Sequence, residues 1–210
     1  MSQKVAYVTG GMGGIGTAIA TRFASEGARV VVTDVNEAGA LATTSAITAA
    51  GDDATAIAAD ISDKGACKEL IADVVSRFGG IDVLVNNAAW VRYQAIPDVA
   101  PETLDRMLDI GFKAVVWGIQ AAAEAMDPGR GGAIVNLASM AGIVSARNSI
   151  VYSGIKAGIM GITRAAAGAR ERHPEPVGRT RELAGIGRAL AAGKAAVPTI
   201  TRSAPAASSA

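Results

Sequence analysis

Three residues in the second half of the chain have side chains and spacing suited to proton transfer: Ser139, Tyr152 and Lys156. Tyr152 and Lys156 are four residues apart, which on a helix puts them on one face, a turn from each other. An ammonium group there stabilises the ionised form of the phenol. An unperturbed tyrosine has a pKa near 10, and bringing it close to neutrality takes about 4 kcal/mol of preference for the tyrosinate. The spacing therefore predicts a tyrosine acid/base with a cation beside it.

The elements that must position these residues alternate between β-branched runs and Ala-rich helical runs. Strands are predicted at Lys4 to Thr9, Arg29 to Asp34, Ala54 to Asp60, Ile81 to Asn87 and Gly132 to Ala138. Helices are predicted after the first strand up to Gly27, over Glu37 to Ala50 with Asn36 as cap, from Ser62 as cap to about Phe78, over Thr103 to Met126 with a break near Gly111, and from Ile150 to about Arg170. This alternation predicts an α/β fold with a doubly wound, Rossmann-like parallel sheet. Ser139 then lies at the carboxyl end of a strand, where such sheets bind ligands.

A glycine-rich turn joins the first strand to the first helix. Thr9, Gly10, Gly14, Ile15 and Gly16 follow the strand and open the helix. Backbone N–H groups and the positive end of the helix can there meet a pyrophosphate. The glycines fit two registers, GxGxxG and TGxxxGIG, and both put a dinucleotide at the same turn.

Two carboxylates follow the next strands. Asp34 ends the second strand, where it can accept hydrogen bonds from an adenosine ribose and would repel a 2′-phosphate. At about 4 Å and an effective dielectric near 20, that repulsion is roughly 4 kcal/mol per unit charge. We therefore expect NAD rather than NADP. Asp60 follows the third strand, and it either caps the next turn or touches the adenine.

Composition limits the other possibilities. The chain has 210 residues, half of them apolar, and a net charge of +1, which suit one sizeable domain and give no reason to expect nucleic acid or a membrane as partner. The lone cysteine, Cys67, excludes an internal disulfide and suits a reducing compartment. We found no targeting or membrane-spanning run and expect a cytoplasmic protein. His173 has no Cys or His partner nearby in the sequence, so we predict no metal site.

The ordered set of motifs resembles the classical branch of the short-chain dehydrogenase/reductase family. The matching residues are TGGMGGIG (Thr9 to Gly16), Asp34, Asp60, NNAA (Asn86 to Ala89), Ser139 and YSGIK (Tyr152 to Lys156). The resemblance covers roughly Lys4 to Ala169. It implies an oxidoreductase that interconverts a secondary alcohol and a ketone with NAD(H), acts on a small molecule and forms a homodimer or homotetramer.

The resemblance also implies roles for single residues. Tyr152 is then the general acid/base, Ser139 polarises the substrate carbonyl, and Lys156 lowers the pKa of the tyrosine and holds the nicotinamide ribose. The glycine loop, Asp34, Asp60, Asn87 and Ala88 line the cofactor site, together with Tyr152 and Lys156.

Two departures from the family pattern are visible. Gly111 stands where the family usually has an asparagine that orders a water for proton relay. The sixth and seventh strands are not recognisable after Arg170. We therefore divide the chain into a Rossmann-like domain, 1–170, and an Ala/Arg/Pro/Ser-rich tail, 171–210, with a formal charge of +3.

The tail differs in composition from the rest of the chain, which suggests a different origin such as a shifted reading frame. We expect a short helix over Arg181 to Lys194 and disorder from Pro198 onward. Without a sixth strand, the fifth strand becomes an exposed apolar edge. Two alternatives to an active enzyme follow from these departures: a Rossmann module that binds cofactor or oligomerises without turnover, and a truncated chain that folds poorly.

Overall fold

The computed structural model describes residues 4–127, 129–168 and 179–182. These residues form a parallel sheet whose six strands are ordered β3-β2-β1-β4-β5-β6. The strands are β1 (Val5–Thr9), β2 (Arg29–Asp34), β3 (Ala54–Ala58), β4 (Val83–Asn86), β5 (Ala133–Asn136) and β6 (Arg179–Glu182). The helices are α1 (Gly14–Ser25), α2 (Glu37–Ala49), α3 (Lys64–Phe78), α4 (Pro101–Leu108), α5 (Ala114–Ala125) and α6 (Ile150–Gly168).

The predicted Rossmann-like architecture is confirmed. Strand order reverses between β1 and β4, which pair in parallel with Tyr7 opposite Leu84. The chain runs outward in one direction through β2 and β3 and in the other through β5. A crevice for ligands therefore opens at the carboxyl ends of β1 and β4.

The central strands are buried on both faces. Val30, Val31 and Val32 of β2 are each fully inaccessible, and Val30 and Val32 pack in one apolar cluster while Val31 packs in the other. Alternate residues of one strand point to opposite faces, so each face is covered by its own layer of helices. This explains why the central strands are largely continuous apolar runs rather than alternating patterns.

Local signals located most helix ends. Asn36 caps α2 as predicted, since its side chain accepts a hydrogen bond from the Gly39 N–H at 3.0 Å. The prediction that Ser62 caps α3 was wrong. Asp63 is the cap and accepts from the Ala66 N–H at 3.0 Å. Either residue type can cap a helix, so only the backbone path selected between adjacent candidates.

The long helical stretch before β5 is interrupted, as predicted, at Gly111. A single π-helical segment, Asp109–Lys113, separates α4 from α5. A Cβ on Gly111 would lie 3.3 Å from Cγ2 of Ile155 in α6, closer than most side-chain contacts. The glycine therefore lets this segment pack tightly against the helix that carries Tyr152 and Lys156.

The expectation that the fifth strand is an unpaired edge was wrong. β6 pairs with β5 in parallel, with Ile134 opposite Thr180 and Asn136 opposite Glu182. Ladder hydrogen bonds come from the backbone, so a short polar run can occupy this position without the β-branched pattern by which strands were identified. The expected helix over Arg181 to Lys194 is wrong at its first two residues, which belong to β6, and its remainder lies outside the described residues. His173 and the segment from Pro198 onward, which we expect to be disordered, also lie outside the described residues. The domain boundary at residue 170 stays a prediction.

A cluster of charged residues closes the amino end of the sheet. Asp82, whose side chain is 3% exposed, forms ion pairs with Lys4 at 2.7 Å and Arg130 at 2.9 Å. It also accepts a hydrogen bond from the Val5 N–H at 2.9 Å. These contacts fasten the start of β1 to the start of β4 and to the turn before β5.

Among the residues that the structure describes, no helix combines the length and apolarity needed to cross a bilayer.

Candidate active site

The glycine turn between β1 and α1 combines close packing with open space. Gly10 has a φ of +67°, and a Cβ there would lie 2.7 Å from the Cα of Ala88. A Cβ on Gly16 would lie 2.2 Å from the carbonyl oxygen of Gly10. By contrast, nothing lies within 4 Å of a Cβ built on Gly14. The first turn of α1 therefore faces open space at its positive end, where its unpaired N–H groups can receive an anion.

Thr9 and Asn87 hold this turn to the end of β4. The Thr9 hydroxyl accepts hydrogen bonds from the N–H groups of Asn87 at 3.1 Å and Ala88 at 3.2 Å. The Asn87 side-chain amide donates to the carbonyl oxygens of Thr9 and Gly10, both at 2.9 Å. The predicted cofactor residues Thr9, Asn87 and Ala88 thus build the crevice, and the Thr9 side chain is itself buried. The Ile15 side chain is partly buried and packs against the apolar core, and its predicted place in the cofactor site stays a prediction.

Asp34 lies at the rim of the same crevice. One carboxylate oxygen accepts from the Met12 N–H of the glycine turn at 3.2 Å, and the other accepts from the Asn36 N–H at 3.0 Å. The side chain remains partly exposed. Its negative charge is therefore fixed next to the turn that would hold the phosphates.

Asp60 is exposed and accepts a hydrogen bond from the Ser62 N–H at 2.9 Å. This contact is the turn-capping role that was one of its two predicted readings. Cys67 lies nearby in α3, where its thiol donates to the Ile61 carbonyl at 3.1 Å. Burial raises the pKa of Cys67 to about 11, so the thiol stays protonated at neutral pH.

Ser139 follows β5 and begins a short 3₁₀ turn, Met140–Gly142. Its Oγ accepts a hydrogen bond from the Ala141 N–H at 3.1 Å. The turn packs directly on α6, since a Cβ on Gly142 would lie 2.6 Å from the backbone nitrogen of Ala157. This contact brings Ser139 beside the helix that carries Tyr152 and Lys156.

Tyr152 is partly buried near the start of α6. Its ring meets the ring of Tyr93, from the segment after β4, edge-on with centroids 5.9 Å apart. Ser149, just before the helix, is fastened to Ser153 by a 2.8 Å hydrogen bond between hydroxyls. The Tyr93 ring thus packs against the tyrosine, and the serine pair fastens the first turn of the helix that carries it.

Lys156 is 5% exposed, and its Nζ lies 5.8 Å from the centroid of the Tyr152 ring. The ammonium donates to the carbonyl oxygen of Leu137, just past β5, at 2.6 Å. Burial lowers the pKa of Lys156 to about 8. No carboxylate of the described residues forms an ion pair with it.

Sequence reasoning missed a buried polar chain behind this lysine. Asn86 and Asn136, which end β4 and β5, and Thr163 of α6 are all at most 5% exposed and hydrogen-bonded to one another. The available signal was a polar residue inside an apolar run, Asn136 in AIVNLAS. No pattern in the sequence identified Thr163 as its partner.

Comparison with known proteins identifies the family of the chain. The model of the short chain dehydrogenase family matches residues 4–174. The chain is 39% identical to sorbitol dehydrogenase of Cereibacter sphaeroides over 167 residues, which are 79% of this chain and 64% of that protein. It is 40% identical over 168 residues to a 3-oxoacyl-[acyl-carrier-protein] reductase of Staphylococcus aureus, covering 78% of this chain and 67% of the relative.

A solved structure is similar as well. It is a metagenomic short-chain oxidoreductase in complex with NADP, with a TM-score of 0.80 and 32% identity. The alignment covers 88% of this chain and 81% of that one. The chain spans just under two-thirds of the length of the sorbitol dehydrogenase.

Proposed function

Because the chain belongs to the short-chain dehydrogenase family, we propose that it is an NAD(H)-dependent oxidoreductase that interconverts a secondary alcohol and a ketone, with Tyr152 as general acid/base. The observation that carries the proposal is the buried Lys156 ammonium beside the Tyr152 ring without a carboxylate partner among the described residues. A buried charge without a counter-ion costs stability. Such a charge, placed beside a titratable group in a crevice, is typical of an active site.

The residues of the crevice fit a dinucleotide. The open space at Gly14 and the N–H groups of the first turn of α1 suit the pyrophosphate. Asp34 suits the adenosine ribose, and Lys156 suits the nicotinamide ribose. When bound, the nicotinamide supplies or accepts the hydride at the carbinol carbon.

The protein handles the proton. In ketone reduction the Tyr152 phenol donates its proton to the developing alkoxide, and in alcohol oxidation the tyrosinate removes the hydroxyl proton. Lys156 stabilises the tyrosinate by its charge. Ser139 accepts from the Ala141 N–H, which leaves its own hydroxyl hydrogen for the substrate oxygen. Positioned proton transfer of this kind contributes about 10²–10⁴ in rate.

The decisive experiment is Tyr152→Phe, followed by the change in NADH absorbance across a panel of alcohols and ketones. We expect turnover to be lost while NAD binding, measured by calorimetry, persists, because phenylalanine keeps the ring contact with Tyr93 and lacks only the phenolic hydroxyl that carries the proton. Tyr93→Phe is the matched control and keeps turnover. Equal activity of Tyr152→Phe and wild type would refute the assigned role.

Asp34 supports NAD over NADP, since its fixed carboxylate repels a 2′-phosphate. The similar metagenomic oxidoreductase was solved with NADP, so the preference needs its own test. We expect Asp34→Ser to lower the NAD-to-NADP ratio of kcat/KM by about 10-fold or more, equivalent to at least 1.4 kcal/mol. Asp53→Ser, which removes an exposed carboxylate paired with Arg29 at the opposite end of the sheet, is the control and leaves the ratio unchanged. A wild-type preference for NADP would overturn the assignment.

A second candidate, a cofactor-binding module without turnover, is favoured by Gly111. The carboxamide found here in other family members is missing, and Ile155 lies against the position it would occupy. This candidate predicts NAD binding with no NADH change for any substrate. Turnover that Tyr152→Phe abolishes would exclude it.

We further propose a cytoplasmic homodimer or homotetramer that pairs through the long helices before and after β5. Apolar side chains on those helices support it, such as Leu104 of α4 at 37% exposure and Ile150 of α6 at 53%. Sedimentation equilibrium tests the proposal. Leu104→Glu would shift the population toward monomer, whereas a monomeric wild type would contradict it.

A further inference from the structure

A directional chain of buried hydrogen bonds crosses from β4 over β5 to α6. The Asn86 amide donates to the side-chain oxygen of Asn136 at 2.8 Å, and the Asn136 amide donates to the Thr163 hydroxyl at 3.0 Å. The Thr163 hydroxyl in turn donates to the Ile159 carbonyl at 2.7 Å. Asn136 is fully inaccessible and Thr163 is 3% exposed. We call these three side chains, Asn86, Asn136 and Thr163, the Asn–Asn–Thr chain.

The Asn–Asn–Thr chain contacts α5 at Gly118, where there is no space for a side chain. A Cβ on Gly118 of α5 would lie 2.6 Å from the side-chain oxygen of Asn86. Only glycine therefore lets α5 approach the chain this closely. Hydrogen bonds between neutral groups contribute only about 1 kcal/mol net each, and apolar side chains of the same shape fill such a space as stably. The chain consequently specifies geometry more than it adds stability.

The geometry that it specifies lies next to the catalytic lysine. Leu137 follows Asn136 directly, and its carbonyl oxygen accepts the hydrogen bond from Lys156 at 2.6 Å. Lys156 and Thr163 are seven residues apart on α6, so both project from one face of the helix. Two side chains of one helical face thus bind two consecutive residues at the end of β5.

The hydrogen bond between Asn136 and Thr163 constrains the hydrogen bond between Lys156 and the Leu137 carbonyl. Tyr152 lies on the same helix as Lys156, whereas Leu137 belongs to the sheet, so sliding or rolling of α6 changes the lysine's contact with the carbonyl. The bond between Asn136 and Thr163 opposes that movement. Because both partners are buried, breaking it leaves an unsatisfied amide in the core.

We propose that Asn136 and Thr163 are positioning residues, which hold α6 against β5 so that the Lys156 ammonium stays on the Leu137 carbonyl and beside the Tyr152 ring. The inference rests on the proposed function of Lys156. Asn136 and Thr163 lie outside the crevice, and they control the position of the Lys156 ammonium inside it. Neither residue contacts the substrate site directly.

The test is a pH titration of Lys156 monitored by NMR of protein labelled with ¹³C at the lysine side chains. The Lys156 signal is assigned as the one lost in Lys156→Met. Thr163→Val keeps the side-chain shape but cannot accept the Asn136 hydrogen bond. We expect the pKa of Lys156 to rise from about 8 toward its ordinary value near 10.4, because a loosened helix admits water to the ammonium. The titratable group facing Lys156 is Tyr152, and no carboxylate of the described residues contacts it.

Two matched variants separate positioning from general stability. Thr163→Ser retains the hydroxyl, so we expect Lys156 to titrate in this variant as it does in wild type. Thr44→Val removes a buried hydroxyl that donates to the carbonyls of its own helix at Ala40 and Leu41, and it leaves the Lys156 titration unchanged. If Thr163→Val does not fold, Thr163→Cys provides the same test with a weaker acceptor in place of the hydroxyl.

The kinetic readout distinguishes this inference from the proposed function. With an active wild type, we expect about a 10-fold lower kcat in Thr163→Val, equivalent to about 1.4 kcal/mol of lost transition-state stabilisation, with little change in NAD affinity. An unchanged Lys156 titration in folded Thr163→Val overturns the positioning role even if the enzyme is active. A wild type without turnover refutes the proposed function, while the titration still decides whether the chain positions Lys156.

Discussion

Asp82 and Lys156 are both charged residues with almost no exposure, 4% and 5%, one at the amino end of the sheet and the other at the carboxyl end. Asp82 has two cations and a backbone N–H around it. Lys156 has one carbonyl oxygen and a tyrosine ring. A buried charge with partners holds elements together, whereas a buried charge without a counter-ion costs free energy and remains available to a ligand or a neighbouring acid.

The protonation equilibria of these two residues differ for the same reason. Burial by itself raises the pKa of Asp82, but hydrogen bonds from Lys4 and the Val5 N–H, together with the charges of Lys4 and Arg130, hold that pKa below its usual value. Burial lowers the pKa of Lys156 to about 8. The amino end therefore favours the charged form of its buried residue, and the carboxyl end disfavours it.

The largest expected effect is on catalysis. Lys156→Met removes the charge that we propose stabilises the tyrosinate, and we expect kcat/KM at pH 7 to fall by about 10²–10⁴-fold. Steady-state NADH oxidation with the best ketone of the panel measures it. Asp82→Asn serves as the control, since it removes a buried charge far from the crevice and leaves kcat nearly unchanged. Similar losses in both variants would contradict the contrast between the two ends.

The next effect is on folding. Asp82→Asn breaks two ion pairs, and we expect the free energy of unfolding to fall by about 1–3 kcal/mol. Lys4 and Arg130 are 31% and 40% exposed, so solvent screening keeps the loss below that of a fully buried pair. Urea unfolding at neutral pH measures the change. Unaltered stability would mean that Asp82 does not fasten β1 to β4.

Lys156→Met should change the free energy of unfolding in the opposite direction, so that the variant is more stable than wild type. The folded pKa of about 8 lies below the unfolded value near 10.4, so the charge destabilises the native state by roughly 3 kcal/mol wherever the lysine is protonated. Losing the hydrogen bond to Leu137 offsets about 1 kcal/mol. We therefore expect the methionine variant to gain about 1–2 kcal/mol at pH 7.

The pH dependence checks this sign. The penalty is fully present below pH 8 and disappears as the pH rises toward 10.4, so the advantage of Lys156→Met should vanish across that window. Urea titrations at pH 7 and at about pH 10 measure it. A destabilised methionine variant at pH 7 would show that Lys156 is stabilising in the native state.

The smallest expected effect is the change in the stability difference between wild type and Asp82→Asn at acid pH. The pKa of Asp82 is depressed in the folded state, so its stabilisation is present above the unfolded value near 3.9 and is lost as the pH falls toward the folded value. The difference in unfolding free energy between wild type and Asp82→Asn should therefore shrink below about pH 4. A constant difference down to the acid transition would argue that shape, and not charge, accounts for the effect of Asp82.

Much of the fold was predictable because its signals are local. The β-branched run of β2 and the cap at Asn36 depend on residues within a few positions of one another, and both predictions are confirmed. The break at Gly111 is confirmed for the same reason. β6 was missed because its pairing with β5 uses backbone groups and leaves no apolar pattern in the sequence.

The site was predictable only in part. Tyr152 and Lys156 share one helix, so their spacing already indicated that they meet. The glycine turn was identified by its residues, but that Thr9 and Asn87 tie it to β4 depends on contacts between residues 78 positions apart. Whether the site residues act as proposed stays a prediction, which the variants above test.

By itself the sequence determined the order of strands and helices from β1 to α6, the glycine turn, and the placement of Tyr152 and Lys156 on one helix, since each depends on neighbours along the chain. Only the tertiary structure decided which buried charge has partners. Asp82 meets Lys4 across 78 residues and Arg130 across 48, while Lys156 meets a carbonyl 19 residues away. Strand order brings those partners together, and strand order is set by packing of the whole sheet.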